Sequence, residues 1–324
     1  MQMSPLAQSA AALFEPPLRF EDQYATLAET SDADGQQQTT EAFTEKWDRY
    51  DDTAEKDRFF AFQRDWYLRL YGFADEAALA AHLAQCHVIF DAGCGLGYKA
   101  VWLAKLAPHA LVIGMDFSGA ARAAAKTYRD VANLFFVRGD IAACGLRDGV
   151  VDYVNCDQVI MHTEDPAATL AELTRVCRPN GGQVACYFYA KKALPRELLD
   201  DHFRIACTDV PHEALWEMSA QLTELGRRLS ALEVTFEAPD IPLLGIKGGT
   251  YDLQRFIYWN FIKCFWNEAL GRDTSVATNF DWYSPSKARR FSAQEVHALV
   301  AHHGLTEAFF HAEEACYSGR FARP

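Results

Sequence analysis

The sequence predicts an α/β fold with a doubly wound, mostly parallel, seven-stranded sheet and a helical cap insertion. Between residues 87 and 189, short apolar segments alternate with helical ones, which is typical of a parallel sheet with helices on both faces. This alternation stops between residues 190 and 291 and resumes at residue 292. We therefore expect one α/β core at 87–189 and 292–324, interrupted at 190–291 by a helical cap that carries the substrate site.

Each element of the core has its own local signal. The strands are predicted where short apolar runs occur, at 87–90, 111–115, 135–137, 150–156, 183–189, 306–311 and 314–321. Asp165 is a predicted N-cap because Pro166 follows it at the first helical position. Ser292 and Glu295 have the spacing of a capping box, which predicts the start of the last helix.

The segments outside the core differ from one another in composition. Residues 1–39 carry many alanines and glutamines and are predicted to form a flexible N-terminal arm. At 40–86, aromatic residues from Phe43 to Trp66 recur at helical spacing, which predicts amphipathic helices. Within the insertion, apolar residues at 215–232 step by three and four positions, which predicts a helix with a packing or homodimer face.

Charge and composition argue against several classes of protein. Lys and Arg number 31 against 44 Asp and Glu, so the formal net charge of −13 disfavours nucleic acid as a partner. No charge-free run approaches the ~20 apolar residues of a membrane-spanning helix, so no membrane partner is expected. The N-terminus lacks the early positive charge of a signal peptide. The nine cysteines contain no C-x-x-C pair, which predicts reduced thiols in a cytoplasmic protein.

A glycine-rich turn after the first predicted strand is the strongest functional signal. It reads Asp91-Ala92-Gly93-Cys94-Gly95-Leu96-Gly97. The glycines allow a tight turn and close approach of a ligand to the backbone. Asp116 ends the next strand, 19 residues after Gly97. Both segments are expected at the carboxyl ends of neighbouring strands, which form the ligand side of such a sheet, and a carboxylate there can accept both hydroxyls of a ribose.

Two kinds of cofactor bind at turns of this type. A dinucleotide requires G-x-G-x-x-G, with its pyrophosphate on the helix N-terminus. Here the third glycine position is Tyr98, and Asp91 would repel a pyrophosphate. A carboxylate at that place suits the ammonium group of S-adenosyl-L-methionine. The charge of Asp91 therefore favours this methyl donor over NAD, and no metal is expected.

Several motifs resemble, in the same order, those of the class I S-adenosylmethionine-dependent methyltransferases. They are the run 88–97, Gly114 to Ser118, Gly139 to Ile141, Asp152 to Val154, and Arg175 to Gly182, in which Asn180 departs from the family pattern. The whole chain is similar to bacterial members with a long helical insertion and a D-W-Y segment. The resemblance implies a Rossmann-like fold, methyltransferase activity and S-adenosyl-L-methionine as the cofactor.

The resemblance also implies which residues hold the cofactor. Asp91 and the glycine turn would hold its methionine and ribose end, and Asp116 would bind the ribose hydroxyls. Phe117 would stack beside the adenine, and Asp140 would accept from the adenine amino group. The implied cofactor-binding residues are Asp91, Gly93, Cys94, Gly95, Gly97, Asp116, Phe117, Asp140, Ile141 and Asp157. The N-terminal helices at 40–86 would cover this site.

The loop after the fourth strand supplies the catalytic candidates. Methyl transfer from a sulfonium is an in-line displacement, so a base is needed only when the nucleophile must lose a proton. His162 is the predicted base because an imidazole ordinarily titrates near neutrality, and Asp157 is the second catalytic candidate. The aromatic density of the insertion predicts an apolar or planar acceptor and a lid over the cleft. The predicted substrate-binding residues are Gln158, Tyr251, Arg255, Tyr258, Trp259, Trp282 and Tyr283.

The leading interpretation is a methyltransferase acting on a small-molecule acceptor. Arginines such as Arg196 and Arg204, which can hold a phosphate or carboxylate, favour a sugar nucleotide or glycan precursor as an alternative acceptor. A non-catalytic S-adenosylmethionine-binding protein and an NAD-dependent oxidoreductase are the remaining alternatives. Titration with S-adenosylhomocysteine and with NADH separates the cofactor classes.

Overall fold

The computed structural model describes residues 4–21, 24–27, 34–50 and 55–324. The chain divides into two compact units. Unit 1 consists of residues 1–33, 63–189 and 289–324, and unit 2 consists of residues 34–62 and 190–288. The predicted insertion at 190–291 therefore lies in unit 2 except for its last three residues, and the predicted helical segment at 40–86 is divided between the two units.

The strands are short and most of them belong to unit 1. In chain order they are β1 (Leu18–Glu21), β2 (Tyr24–Leu27), β3 (Val88–Ala92), β4 (Leu111–Asp116), β5 (Leu134–Arg138), β6 (Tyr153–Cys156), β7 (Gln183–Ala190), β8 (Thr235–Ala238), β9 (Gly249–Asp252), β10 (Arg290–Phe291), β11 (Thr306–Ala312) and β12 (Cys316–Ala322). Strands β8 and β9 form an antiparallel pair within unit 2.

Several of the helices begin at capping residues that can be recognised in the sequence. In chain order they are α1 (Pro5–Ala11), α2 (Asp34–Tyr50), α3 (Lys56–Leu70), α4 (Glu76–Leu83), α5 (Tyr98–Leu106), α6 (Ala120–Thr127), α7 (Pro166–Val176), α8 (Leu194–Cys207), α9 (His212–Ser230), α10 (Leu253–Asn260), α11 (Arg272–Tyr283) and α12 (Ala293–His302). Asp165 caps α7 by accepting from the backbone N–H groups of Ala167 and Ala168. Ser292 and Glu295 form the predicted capping box of α12. Among the described residues, no helix combines the length and the apolar composition needed to cross a membrane.

Unit 1 is built on one mixed sheet with the order β1-β2-β5-β4-β3-β6-β7-β12-β11, and β10 pairs with β7. The pairs from β5 through β7 are parallel, whereas β12 runs antiparallel to both β7 and β11. The seven predicted strands are therefore present in one sheet, but in the described part of the chain the sheet has ten strands and not seven, because β1, β2 and β10 were not predicted. The predicted α/β fold with a mostly parallel sheet is confirmed.

The central strands of unit 1 are buried along their whole length. Every residue of β3 and of β6 is buried, as expected for parallel strands covered on both faces. Phe135 and Phe136 are adjacent on β5 and point to opposite faces, and both are fully buried. Each contributes about 1.5–3 kcal/mol by burial. The carboxyl ends of β3, β4 and β6 are consequently held in a rigid sheet.

The N-terminal segment differs from its prediction. Instead of a flexible arm at 1–39, the described residues of that range form α1, β1, β2 and the start of α2. Strand β2 pairs in parallel with β5, and β1 returns antiparallel to β2. Strand β2 is only four residues long, too short to stand out against the alanine- and glutamine-rich composition of residues 1–39. The segment forms a strand because it pairs with β5, which is distant in sequence.

Unit 2 is mainly helical, and α9 packs closely against α11 within it. The rings of Trp216 and Phe280 stack with their centroids 3.9 Å apart. The buried face of α9 includes Ser219, Thr223 and Gly226, whereas Leu232, at the end of the predicted apolar stripe, is 58% exposed. The helix was thus predicted correctly, but small residues rather than the leucine stripe form much of its packing face. The homodimer face stays a prediction.

Candidate functional site

The glycine turn after β3 has a backbone that requires glycine. Gly93, Gly95 and Gly97 have φ angles of 84°, 50° and 78°, a region that residues with a Cβ rarely adopt. A Cβ on Gly93 would also lie 2.4 Å from the side chain of Val159. Gly97 is the N-cap residue of α5. The turn therefore brings the backbone N–H groups at the start of α5 to the carboxyl end of β3.

Asp116 at the end of β4 holds this turn in place. Its Oδ2 accepts a hydrogen bond of 2.8 Å from the backbone N–H of Gly95. Its Oδ1 accepts from the backbone N–H and the hydroxyl of Ser118, at 2.9 and 2.6 Å. Asp116 is only partly buried. Among the described residues, Oδ2 accepts only the hydrogen bond from Gly95 and has a second acceptor position, so the side chain can fix the turn and still bind a hydroxyl.

Asp91 on β3 has an unsatisfied carboxylate oxygen. The side chain is 2% exposed, and its Oδ1 accepts a hydrogen bond of 2.7 Å from the side-chain amide of Asn155. Its Oδ2 is buried and has no hydrogen-bond partner among the described residues. Burial raises the pKa of Asp91 to about 6, against the lowering effects of the Asn155 hydrogen bond and of Lys99. A buried acceptor without a partner is costly, and a ligand ammonium group would satisfy it.

A chain of buried hydrogen bonds orients Asn155. Its Oδ1 accepts from the hydroxyl of Tyr67 at 3.0 Å, and that hydroxyl lies 2.8 Å from the hydroxyl of Tyr153. Burial, followed by the proximity of Tyr153, raises the pKa of Tyr67 well above its ordinary value. Both tyrosines therefore stay neutral and can donate. The chain fixes the Asn155 amide so that its N–H faces Asp91.

Asp157, two residues after Asn155, lies in a second buried network. Its Oδ2 forms a hydrogen-bonded ion pair with Lys99 of α5, and its Oδ1 accepts from the hydroxyl of Tyr71 at 2.7 Å. Burial alone would lower the pKa of Lys99, but the attractions and hydrogen bonds of Asp157 and Tyr98 together outweigh burial and raise it. Both carboxylate oxygens of Asp157 are thus engaged by protein groups.

Gln158 and His162 occupy the loop after β6. Gln158 has a φ of 64°, an unusual value for a residue with a side chain, and such values are often found at functional sites. Its side-chain amide donates to Gln63 Oε1 at 2.8 Å. His162 is 5% exposed, and its ring stands perpendicular to that of Tyr189, with the centroids 5.4 Å apart. The structure therefore places the predicted base inside unit 1, against an aromatic ring.

The predicted adenine-binding residues follow β4 and β5. Phe117 comes directly after Asp116 and is half-buried, whereas Ile141 is buried. Asp140 Oδ1 accepts from the backbone N–H of Ala142 at 2.9 Å and so caps a short helical turn. Cys94, within the glycine turn, is buried, and burial raises the pKa of its thiol well above the ordinary value. The roles assigned to these residues stay predictions.

The remaining substrate-binding candidates all lie in unit 2. Tyr258 packs perpendicular to Trp259, and Trp282 and Tyr283 are buried within the unit. Tyr251 is half-buried, and its hydroxyl donates to the backbone carbonyl of Lys247 at 2.9 Å. Arg255 is also half-buried, with its guanidinium 5.7 Å from the centroid of the Tyr258 ring. Acceptor binding by these residues and closure of the insertion as a lid stay predictions.

Sequence reasoning did not identify the residues that support Asp91 and Asp157. These residues are Tyr67, Tyr71, Lys99 and Asn155. One signal was available for Lys99, because a cation in the first turn of a helix opposes the helix dipole. A buried anionic partner resolves that conflict. Tyr67 in α3 and Tyr71 directly after it occur in an ordinary amphipathic pattern. Nothing in that pattern marks their hydroxyls as donors to Asn155 and Asp157.

Comparison with known proteins places this site in a family. Residues 90–185 match the family described as "Methyltransferase domain". An uncharacterised 37.1 kDa transposon protein of Streptomyces fradiae is 42% identical over 95 residues, which cover 28% of this chain and 27% of that protein. An uncharacterised methyltransferase of Schizosaccharomyces pombe is 36% identical over 107 residues, 30% of this chain and 38% of that protein. A demethylmenaquinone methyltransferase of Staphylococcus saprophyticus is 32% identical over 107 residues, 32% of this chain and 46% of that protein.

Each of these three relatives matches about a third of the chain or less. The chain spans less than half the length of each of these three relatives. Among solved structures, magnesium protoporphyrin IX methyltransferase from Synechocystis with bound S-adenosylmethionine is similar with a TM-score of 0.48 and 12% identity, covering 91% of this chain and 100% of that chain. The matched residues 90–185 contain the glycine turn, Asp116 and the loop after β6. Residues 90–185 of the chain are therefore similar to the methyltransferase domain family.

Proposed function

We propose that the protein transfers a methyl group from S-adenosyl-L-methionine to a small-molecule acceptor. The observation that carries the cofactor half of this proposal is the buried Oδ2 of Asp91, which lacks a hydrogen-bond partner among the described residues and lies beside the glycine turn. The ammonium group of the methyl donor supplies the missing partner. A pyrophosphate at the same place would face the Asp91 carboxylate, so this oxygen also argues against a dinucleotide.

The residues of unit 1 fit the parts of this cofactor. Asp91 and the N–H groups of the glycine turn would hold its methionine part, Asp116 its ribose, and Asp140 its adenine amino group. When bound, the cofactor supplies an activated methyl group on a sulfonium. Lys99 and Tyr71 hold the carboxylate of Asp157 in a fixed position in the same region of unit 1. We propose that Asp157 contributes a fixed negative charge there, and that both of its oxygens are too fully engaged for it to serve as a mobile base.

His162 is the proposed base for an acceptor that must lose a proton. It follows β6, as Asp157 does, and its burial against Tyr189 would keep water away from the ring. An acceptor with a hydroxyl or protonated amine would need this base, whereas an already nucleophilic acceptor would need positioning alone.

Two features support a small acceptor. The net charge of −13 disfavours nucleic acid, and one of the similar proteins is named as a demethylmenaquinone methyltransferase. We expect titration calorimetry to show that the full chain binds S-adenosylhomocysteine and does not bind NADH. Methyl transfer from labelled S-adenosylmethionine would then be measured against a panel of phenols, quinols, carboxylic acids and sugar nucleotides. Tighter binding of NADH would reject the proposal, and cofactor binding without transfer to any acceptor would favour the non-catalytic alternative.

A further inference from the structure

A cluster of buried cations surrounds Trp282 in unit 2. The indole ring lies 4.4 Å from Lys263 Nζ, 5.3 Å from the guanidinium of Arg196 and 5.7 Å from that of Arg204, measured to the ring centroid. Lys263 is 6% exposed, and the other three residues are also buried. Cation–π contacts stabilise such an arrangement only in part, because each cation has lost most of its hydration.

The carboxylates of the cluster are already engaged elsewhere. Asp200 is paired with Arg196 at 2.7 Å, and its other oxygen accepts from the hydroxyl of Tyr283 at 3.0 Å. Asp281 is paired with Lys46 at 2.6 Å. Both carboxylates therefore pair most closely with cations other than Lys263.

Lys263 itself has no anionic partner. Its ammonium group makes no ion pair and no hydrogen bond with any residue that the structure describes. Burial lowers the pKa of Lys263 to about 8, the cations Arg196 and Lys46 lower it further, and the attraction of Asp281 and Asp200 does not compensate. An ammonium group buried without a counter-ion is among the most costly arrangements in a protein interior, so a bound anion would be stabilising.

We propose that unit 2 contains a binding site for the anionic group, a carboxylate or a phosphate, of a small organic molecule. Lys263 and Arg204 provide its cationic contacts, and the Trp282 ring provides an apolar wall against the organic part of the ligand. Arg204 donates one hydrogen bond to the carbonyl of Pro285 at 2.9 Å, which fixes its guanidinium beside the indole. This proposal concerns unit 2 and does not depend on methyl transfer.

The test uses the full chain, with inorganic phosphate and benzoate as separate probes. Titration calorimetry at pH 7 is expected to give a Kd of about 1 mM or tighter for at least one probe. Lys263→Met should weaken binding at least tenfold. Lys247→Met is the matched control, because it removes the same charge from an exposed position of the same unit and should leave the affinity unchanged. Phosphate-only binding would indicate a phosphorylated ligand, and benzoate-only binding an organic carboxylate.

A second pair of measurements covers a variant that fails to fold. The affinity of the unsubstituted protein should fall between pH 7 and pH 9 as Lys263 loses its proton. Lys263→Arg keeps its charge over this range, so it should bind at both pH values. The proposal is overturned if neither probe binds at 10 mM, if Lys263→Met binds as the unsubstituted protein does, or if the affinity of Lys263→Arg falls equally with pH.

Discussion

The carboxylate of Asp116 and the backbone N–H of Gly95 are joined by a hydrogen bond of 2.8 Å. This contact ties the end of β4 to the glycine turn that follows β3. A residue assigned to the ribose from sequence alone therefore also shapes the backbone that would hold the methionine part. Removing it should disturb both parts of the cofactor site together.

Asp116→Ala is expected to weaken binding of S-adenosylhomocysteine tenfold or more. Each hydrogen bond to a charged group contributes on the order of 1.5–3 kcal/mol. The variant loses its hydrogen bond to the ligand and also the hydrogen bond from Gly95 that fixes the glycine turn. Calorimetry gives the affinity, and circular dichroism checks the fold. Asp130→Ala removes the same charge from an exposed position of unit 1 and should bind normally. Unchanged affinity in Asp116→Ala would remove this residue from the site.

Cofactor affinity should depend on pH through Asp91. Because burial raises the pKa of Asp91 from 3.8 to about 6, the free protein is mostly protonated there at pH 5 and mostly ionised at pH 7. An ammonium group binds the ionised form, so the affinity for S-adenosylhomocysteine should fall about tenfold from pH 7 to pH 5. Asp91→Asn should bind weakly at both values. A pH-independent affinity in the unsubstituted protein would contradict the assigned contact.

The same raised pKa makes a separate prediction about stability. The folded protein binds a proton at Asp91 more tightly than the unfolded chain does. Asp91 therefore does not lower the free energy of unfolding below about pH 4, and it lowers this free energy increasingly between about pH 4 and pH 6. At pH 7, Asp91→Asn should raise the free energy of unfolding by up to about 3 kcal/mol. Urea unfolding at pH 4 and pH 7 measures this, and the gain should be absent at pH 4. A loss of stability at pH 7 would show that the Asn155 hydrogen bond outweighs desolvation.

The sequence predicts best the features whose signals are local. The glycine turn, the caps of α7 and α12 and the strands of the sheet all follow from short runs of residues. The partners Lys99 and Tyr71 of Asp157 could not be predicted, because Lys99 lies in α5 and Tyr71 directly after α3, far from the loop in sequence. The same applies to β2, which is a strand only because it pairs with β5. Long-range pairing thus limits prediction more than local propensity does.

The ion pair between Lys99 and Asp157 should be strongly coupled. Lys99→Met leaves a buried carboxylate without its cation and should destabilise the protein by about 3–5 kcal/mol. Asp157→Asn leaves a buried ammonium group and should have a similar effect. The double variant should be less destabilised than the sum of the single variants, since no unpaired charge remains. Urea unfolding measures the free energies of unfolding of the two single variants and the double variant. Lys105→Met, on the exposed side of the same helix, is the control. Additive effects would show that the two groups do not interact.

The last prediction separates a catalytic from a structural His162. If the imidazole is the base, His162→Asn should lower the turnover rate by about two to four orders of magnitude. The affinity for S-adenosylhomocysteine should hardly change, because the residue is not among those assigned to the cofactor. The ring packs against Tyr189, so the substitution should also cost some stability, and the assay must be run well below the melting temperature of the variant. His162→Phe is the matched variant, because it keeps an aromatic ring beside Tyr189 but cannot accept a proton. Catalysis predicts that both variants are slow, whereas a packing role predicts that His162→Phe retains both turnover and stability. Normal turnover in His162→Asn would leave positioning alone as the source of the rate.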